Sequence, residues 1–297
     1  MEIKINREYK DRMFIDLFGH NKENALSLYN AINGTSYDNP EDLEFTTIQD
    51  AIYMNMKNDV SFIIGTQISV YEHQSTVNPN MPYRGLKYIS ALLSKYADSK
   101  GVNEYGPSLI VFPTPQYIVF YNGEADFPEE ETLYFSSACE NPEQSCIEVK
   151  TRVLNINYGH NRAIMEACRS LGGYAQFVAK VREFYTGTGR MDMRDAIIRA
   201  VDVCIAEGIL AEYLRNNKGA VIEMMLSEYD EVQTAKLWRE AGKQEVRAQV
   251  QAEEAEKSRE KISGILQALH ASGMSIEEIK ERLKISDEEL ESYGITE

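Results

Sequence analysis

Residues 58–76 read NDVSFIIGTQISVYEHQST. Two runs rich in Val, Ile, Phe and Tyr, residues 60–64 and 67–71, flank Gly65-Thr66. A glycine followed by one other residue suits a two-residue hairpin turn of type II′, whose first central position needs a positive φ. That turn makes Ile64 face Gln67. Stepping outward then sets Asp59 opposite Glu72. Side chains alternate along a strand, so Gln74 falls on the face of Glu72 and His73 on the other.

Two carboxylates directly across a sheet, roughly 4.5–5.5 Å apart at Cβ, repel each other. A hard divalent cation removes the cost, since Mg²⁺ takes oxygen ligands, commonly one or two carboxylates plus waters. The flanking strands are too apolar for a solvated ribbon, which favours a partly closed cleft. Spacing alone leaves a second reading open: a longer turn changes the register, and both acids face solvent. His73 reads as a satisfied core histidine.

The stretch EHQSTVNPNMPYR, Glu72 to Arg84, resembles the motif region of the Rpn family of recombination-promoting nucleases, PD-(D/E)xK nuclease-type transposases. The resemblance extends over most of the chain. YKDRMFIDLFG (Tyr9 to Gly19) is similar to that family's first helix. Asn157 to Phe184 and Ala200 to Met224 are similar to its later helices. The fold this implies is α/β, a restriction-endonuclease-like core with a helical C-terminal extension.

The resemblance also implies a site, with Asp59, Glu72 and Gln74 as the catalytic set. Asp59 and Glu72 are the metal ligands, the His73 backbone carbonyl is a third, and Gln74 orients water. The implied cofactor is Mg²⁺, with Mn²⁺ or Ca²⁺ as substitutes, and the implied partner is DNA. Asp11 matches an acidic position of the first helix and is an accessory candidate, against a cap or a surface ion pair. Asn58 stands where the broad motif has Pro, and Gln74 where it has Lys. A Gln orients water by hydrogen bonding but carries no charge, so activation of water shifts to the metal.

The net charge of −16 over 297 residues opposes phosphate binding, for which basic proteins are the usual case. Its distribution softens the objection. Between Lys100 and Lys150 there is no Lys or Arg, and nine acidic residues fall there. Near the motif, Lys57, Arg84 and Lys87 are available to meet phosphates. Arg84 and Lys87, three apart, share a helix face, and their bland reading is two solvated charges.

A hydrophobic content of 43% makes the chain globular. Four cysteines without a CxxC or zinc-ligand pairs, and a charged start at Met1-Glu2-Ile3-Lys4, point to a reduced cytoplasmic protein. No membrane span is expected, because the longest apolar stretch, Ser108 to Tyr121, is broken by Pro113 and Pro115.

Helices are expected over 8–33, to about Lys100 after the Asn78–Pro82 loop, and over 160–186 and 192–217. Strands are expected around Phe45 to Met54 and over 108–122, 131–137 and 145–156. Three regions follow: a nuclease-like domain over 1–225, a charged connecting helix over 226–261 and a small helical unit over 262–297. In the last, Ser275-x-x-Glu278 and Ser286-x-x-Glu289 are capping boxes. Its second helix opens on Asp287-Glu288-Glu289, which repels DNA, so self-association as a homo-oligomer, a dimer, is its expected role.

Two functions are carried forward. The first is a metal-dependent DNA endonuclease of low sequence specificity, associated through the family with recombination, mobile elements or phage defence. The second is a catalytically silent nuclease-like protein that binds nucleic acid or a protein partner through its tail. Strand transfer is poorly supported, since no separate basic DNA-binding domain is visible.

Overall fold

The computed structural model describes residues 12–46, 59–187, 189–226 and, beyond these, 247, 257, 261–266, 268, 269, 272, 274, 275 and 277–279. Asp11, Lys57, Asn58, most of the expected connecting helix and the capping box at Ser286 lie outside the described residues. The chain divides into two compact units, Met1–Glu231 and Val232–Glu297.

The first unit is α/β. Its strands are β1 (Leu43–Phe45), β2 (Val60–Ile64), β3 (Gln67–Gln74), β4 (Thr114–Tyr121), β5 (Glu130–Tyr134) and β6 (Lys150–Asn155), in the sheet order β1-β2-β3-β4-β6-β5. The hairpin has the expected register, with Ile64 facing Gln67 and Val60 facing Tyr71. Gly65 has φ 56° and Thr66 is not among the positive-φ residues, as a type II′ turn requires. The centre is parallel, β3 to β4 and β4 to β6, and both outer pairings are antiparallel.

Helix α3 (Met81–Ser99) makes the crossover from β3 to β4 and packs on one face of the sheet. Its buried residues Met81, Gly85, Tyr88 and Leu92 fall at helical spacing and meet Ile68, Val70, Tyr117, Val119 and Val153. Gly85 is required by the close approach: a Cβ there would lie 2.4 Å from Cδ1 of Tyr117. The other face carries α1 (Arg12–Phe18), α2 (Lys22–Asn33), α5 (Arg169–Thr186) and α6 (Met193–Glu207) over Phe62, Tyr71 and Phe120. Cover on both faces buries β3 from Ile68 to His73, so its polar residues Ser69, Glu72 and His73 are enclosed along with Ile68, Val70 and Tyr71.

Several boundaries differ from expectation. The apolar run Leu109-Ile110-Val111-Phe112 is not strand; Leu109 and Val111 are 91% and 78% exposed. A ladder needs a partner, and the partner strand β3 starts only at Gln67, which pairs with Thr114. The helix expected over 160–186 breaks at Cys168 into α4 (Arg162–Ala167) and α5. The helix expected over 192–217 ends at Gly208, whose left-handed φ of 78° lets its N–H reach Cys204 and Ile205 carbonyls. Residues 211–226 then form a separate helix.

In the second unit the first capping box is formed. Glu278 N–H donates to Ser275 Oγ at 3.3 Å, and Ser275 N–H donates to Glu278 Oε2 at 3.0 Å. Among the described residues, no helix is long and apolar enough to cross a membrane.

Candidate active site at the open end of the hairpin

Asp59 precedes β2 by one residue, and continuing the register places it beside Glu72. In a two-residue hairpin that position is a non-hydrogen-bonded pair, where Cα atoms approach to roughly 4.5 Å. Asp59 alternates with Val60 and so falls on the α3 side of the sheet, as do Ser61 and Ile63. Its Oδ2 accepts the backbone N–H of His73 at 2.6 Å. The N–H and carbonyl of a strand residue point to the same edge, so the His73 carbonyl also lies on the β2 side, next to Asp59.

Glu72 is 1% exposed, and its carboxylate is densely partnered. Oε2 accepts the Tyr117 hydroxyl at 2.7 Å. Oε1 accepts Gln74 Nε2 at 3.2 Å and the Arg84 guanidinium, which forms an ion pair with it. Arg84 donates in addition to the Tyr88 hydroxyl at 2.9 Å. Three elements thus converge: Glu72 and Gln74 from β3, Arg84 and Tyr88 from α3, and Tyr117 from β4. A buried carboxylate is tolerated only when paired and hydrogen-bonded, and these groups meet that requirement.

The electrostatics follow from the same contacts. Burial lowers the pKa of Arg84, but the Glu72 charge together with the contacts to Tyr88 and Tyr117 outweighs it, and the guanidinium is raised above its ordinary value. Burial and then the Glu72 charge push the Tyr88 phenol up to about 12. Burial and the same charge hold Tyr117 well above its usual range. Both phenols therefore stay protonated, and Tyr117 donates to Glu72.

His73 is buried on the opposite face. It stacks on Phe14 with ring centroids 5.4 Å apart and hydrogen-bonds the Tyr174 hydroxyl through Nε2 at 3.0 Å. Its side chain is core, as the alternation anticipates. Lys87 parts company with Arg84: its ammonium sits over the Tyr83 ring, 5.5 Å from the centroid. Sequence reasoning missed Tyr88 and Tyr117. The spacing of Arg84 and Tyr88, four apart on one helix face, was a usable signal. Tyr117 arrives only through the parallel pairing of β3 with β4.

Asp59, Glu72 and the His73 carbonyl supply hard oxygen donors of the kind Mg²⁺ takes. Among the described residues, no group of three or more His, Cys, Asp and Glu side chains is gathered as a metal cluster. Two carboxylates with backbone and water completing the shell suit Mg²⁺ nonetheless. The fit carries one condition, because Glu72 Oε1 already holds a guanidinium. A broad open cleft of about 1290 Å³ lies elsewhere, lined by Asn24, Tyr158, Arg162, Arg169 and Arg215, and contains none of these groups.

Comparison of the chain with family models, curated proteins and solved structures returns no match.

Proposed function

We propose that this chain is a Mg²⁺-dependent endodeoxyribonuclease of the Rpn type, built on a restriction-endonuclease-like core. The observation that carries the reading is the placement of Asp59 beside Glu72, with Gln74 on the same face, at the open end of a hairpin in a mixed sheet. An adjacent pair of acids at a strand end is electrostatically costly; Arg84 offsets part of that cost at Glu72, and a divalent ion would serve both acids.

Asp59, Glu72 and the His73 carbonyl would hold the metal, with Mn²⁺ or Ca²⁺ as substitutes. A divalent ion bound there supplies Lewis acidity toward a phosphate oxygen and lowers the pKa of water. Gln74, now hydrogen-bonded to Glu72, orients that water. Tyr117 fixes Glu72, and the His73 N–H fixes Asp59. DNA is the proposed substrate, cut with little sequence preference, in a cytoplasmic protein that assembles as a dimer through its C-terminal helices. Association with recombination, mobile elements or phage defence comes with the family resemblance.

A second reading has its own observation. Arg84, Tyr117 and Gln74 occupy Glu72 so fully that the cluster could serve as a buried polar network in a catalytically silent binding protein. Incubation of supercoiled plasmid with Mg²⁺, Mn²⁺ or EDTA separates the two. The nuclease reading expects metal-dependent nicking that falls by at least about 100-fold in Asp59→Ala, the scale of losing a principal catalytic group. A folded wild-type chain that leaves plasmid intact with every metal would move the assignment to the binding protein.

A further inference from the structure

We infer that Arg84 is an exchangeable counter-ion: it neutralises Glu72 in the metal-free chain and must be displaced from it before a divalent cation can bind. This rests on the metal-site reading above and concerns how that site is loaded.

Arg84 lies in the first turn of α3 and reaches back to β3. Glu72 is buried to 2% side-chain exposure, whereas the Arg84 side chain remains 35% exposed. The carboxylate is therefore fixed and the cation is the partner with a route to water. Both Glu72 oxygens are engaged, Oε2 by neutral Tyr117 and Oε1 by Gln74 and Arg84, so the guanidinium is the charged partner that a metal would have to replace at Oε1. A dication and a guanidinium at one carboxylate oxygen repel each other, so binding of one weakens the other.

Tyr88 supplies a tether. Its hydroxyl already takes one Arg84 donor at 2.9 Å, and the guanidinium lies over its ring at 5.8 Å from the centroid. A guanidinium has five donors, so Arg84 can leave Glu72 while keeping Tyr88.

Local charge gives the exchange a consequence. Asp59, Glu72 and Arg84 sum to −1, which repels a phosphodiester. A divalent ion brings the same groups to +1, with a released guanidinium beside them suited to bidentate phosphate contact. The site would then attract its anionic substrate only after metal has entered.

Loss of the free Mn²⁺ signal in electron paramagnetic resonance reads binding directly, without cleavage. Wild type, Arg84→Met, Arg84→Lys and Glu72→Gln would be titrated. Arg84→Met is expected to bind Mn²⁺ at least about tenfold more tightly than wild type, because the competitor is gone. Its melting temperature should fall without metal and rise more with Mn²⁺ than that of wild type. If Arg84→Met fails to fold, Arg84→Lys carries the test, since a single ammonium cannot hold Glu72 and Tyr88 as the planar fork does. It should bind Mn²⁺ more tightly than wild type. Glu72→Gln should lose binding. Equal affinity in wild type and the Arg84 variants would overturn the exchange while leaving the metal site intact. Absence of Mn²⁺ binding in all of them would overturn both.

Discussion

Tyr88 ties three charges together at the residue scale. It accepts a hydrogen bond from Arg84, feels Glu72 and, more weakly, Asp59, and is buried beneath α3. Its pKa rises from 10.0 in the unfolded chain to about 12 in the folded one. Between those values the folded chain holds a proton that the unfolded chain has lost, so stability declines as pH rises. The contribution of Tyr88 is complete below pH 10 and is lost on approaching pH about 12. Urea unfolding midpoints measured across that window should fall in wild type and fall less in Tyr88→Phe. Equal slopes would mean that burial and the Glu72 charge do not raise this phenol in the folded chain. His73 illustrates the opposite case, in which a titratable residue between Glu72 and Gln74 belongs to the core because strand alternation turns it to the other face.

At the scale of elements, the decisive contact is α3 on β4. Gly85 lets the helix lie against Tyr117, which in turn holds Glu72. Gly85→Ala would place a methyl group 2.4 Å from the Tyr117 ring, and that ring is 2% exposed with nowhere to retreat. The expected loss is about 1–3 kcal/mol of stability, the usual cost of overpacking. A fall in cleavage per folded molecule should accompany it as Tyr117 leaves Glu72. Denaturant unfolding and plasmid nicking on the same preparation check both, and unchanged cleavage would exclude Tyr117 as a positioning group.

The hairpin was legible in the sequence because its determinants are local: a glycine at a turn position and a period of two on either side. The cap at Ser275 was legible for the same reason, since both partners lie within one helical turn. The closure around Glu72 was legible only in part. Arg84 and Tyr88 share a helix face four residues apart. Tyr117 joins through a parallel pairing between strands separated by the whole of α3, and no local signal specifies such a register. The run Leu109 to Phe112 misled for a related reason: β-forming composition does not supply a strand to pair with.

For the whole molecule, net charge and division into units set the expectations. A chain of −16 that meets DNA should do so weakly, through the metal and a few local cations. The first unit closes at Glu231, and self-association is proposed for the residues beyond it. A chain truncated after Glu231 should keep its cooperative unfolding and run as a monomer on sizing, whereas the full chain should run as a dimer. An unchanged oligomeric state would place the contact in the first unit. The metal site itself is tested most directly by anomalous scattering from crystals of the full chain soaked in Mn²⁺. The account predicts a peak within bonding distance of both Asp59 and Glu72, with Arg84 turned from Glu72 toward Tyr88. A well-ordered site without a peak, and with Arg84 still paired to Glu72, would contradict it.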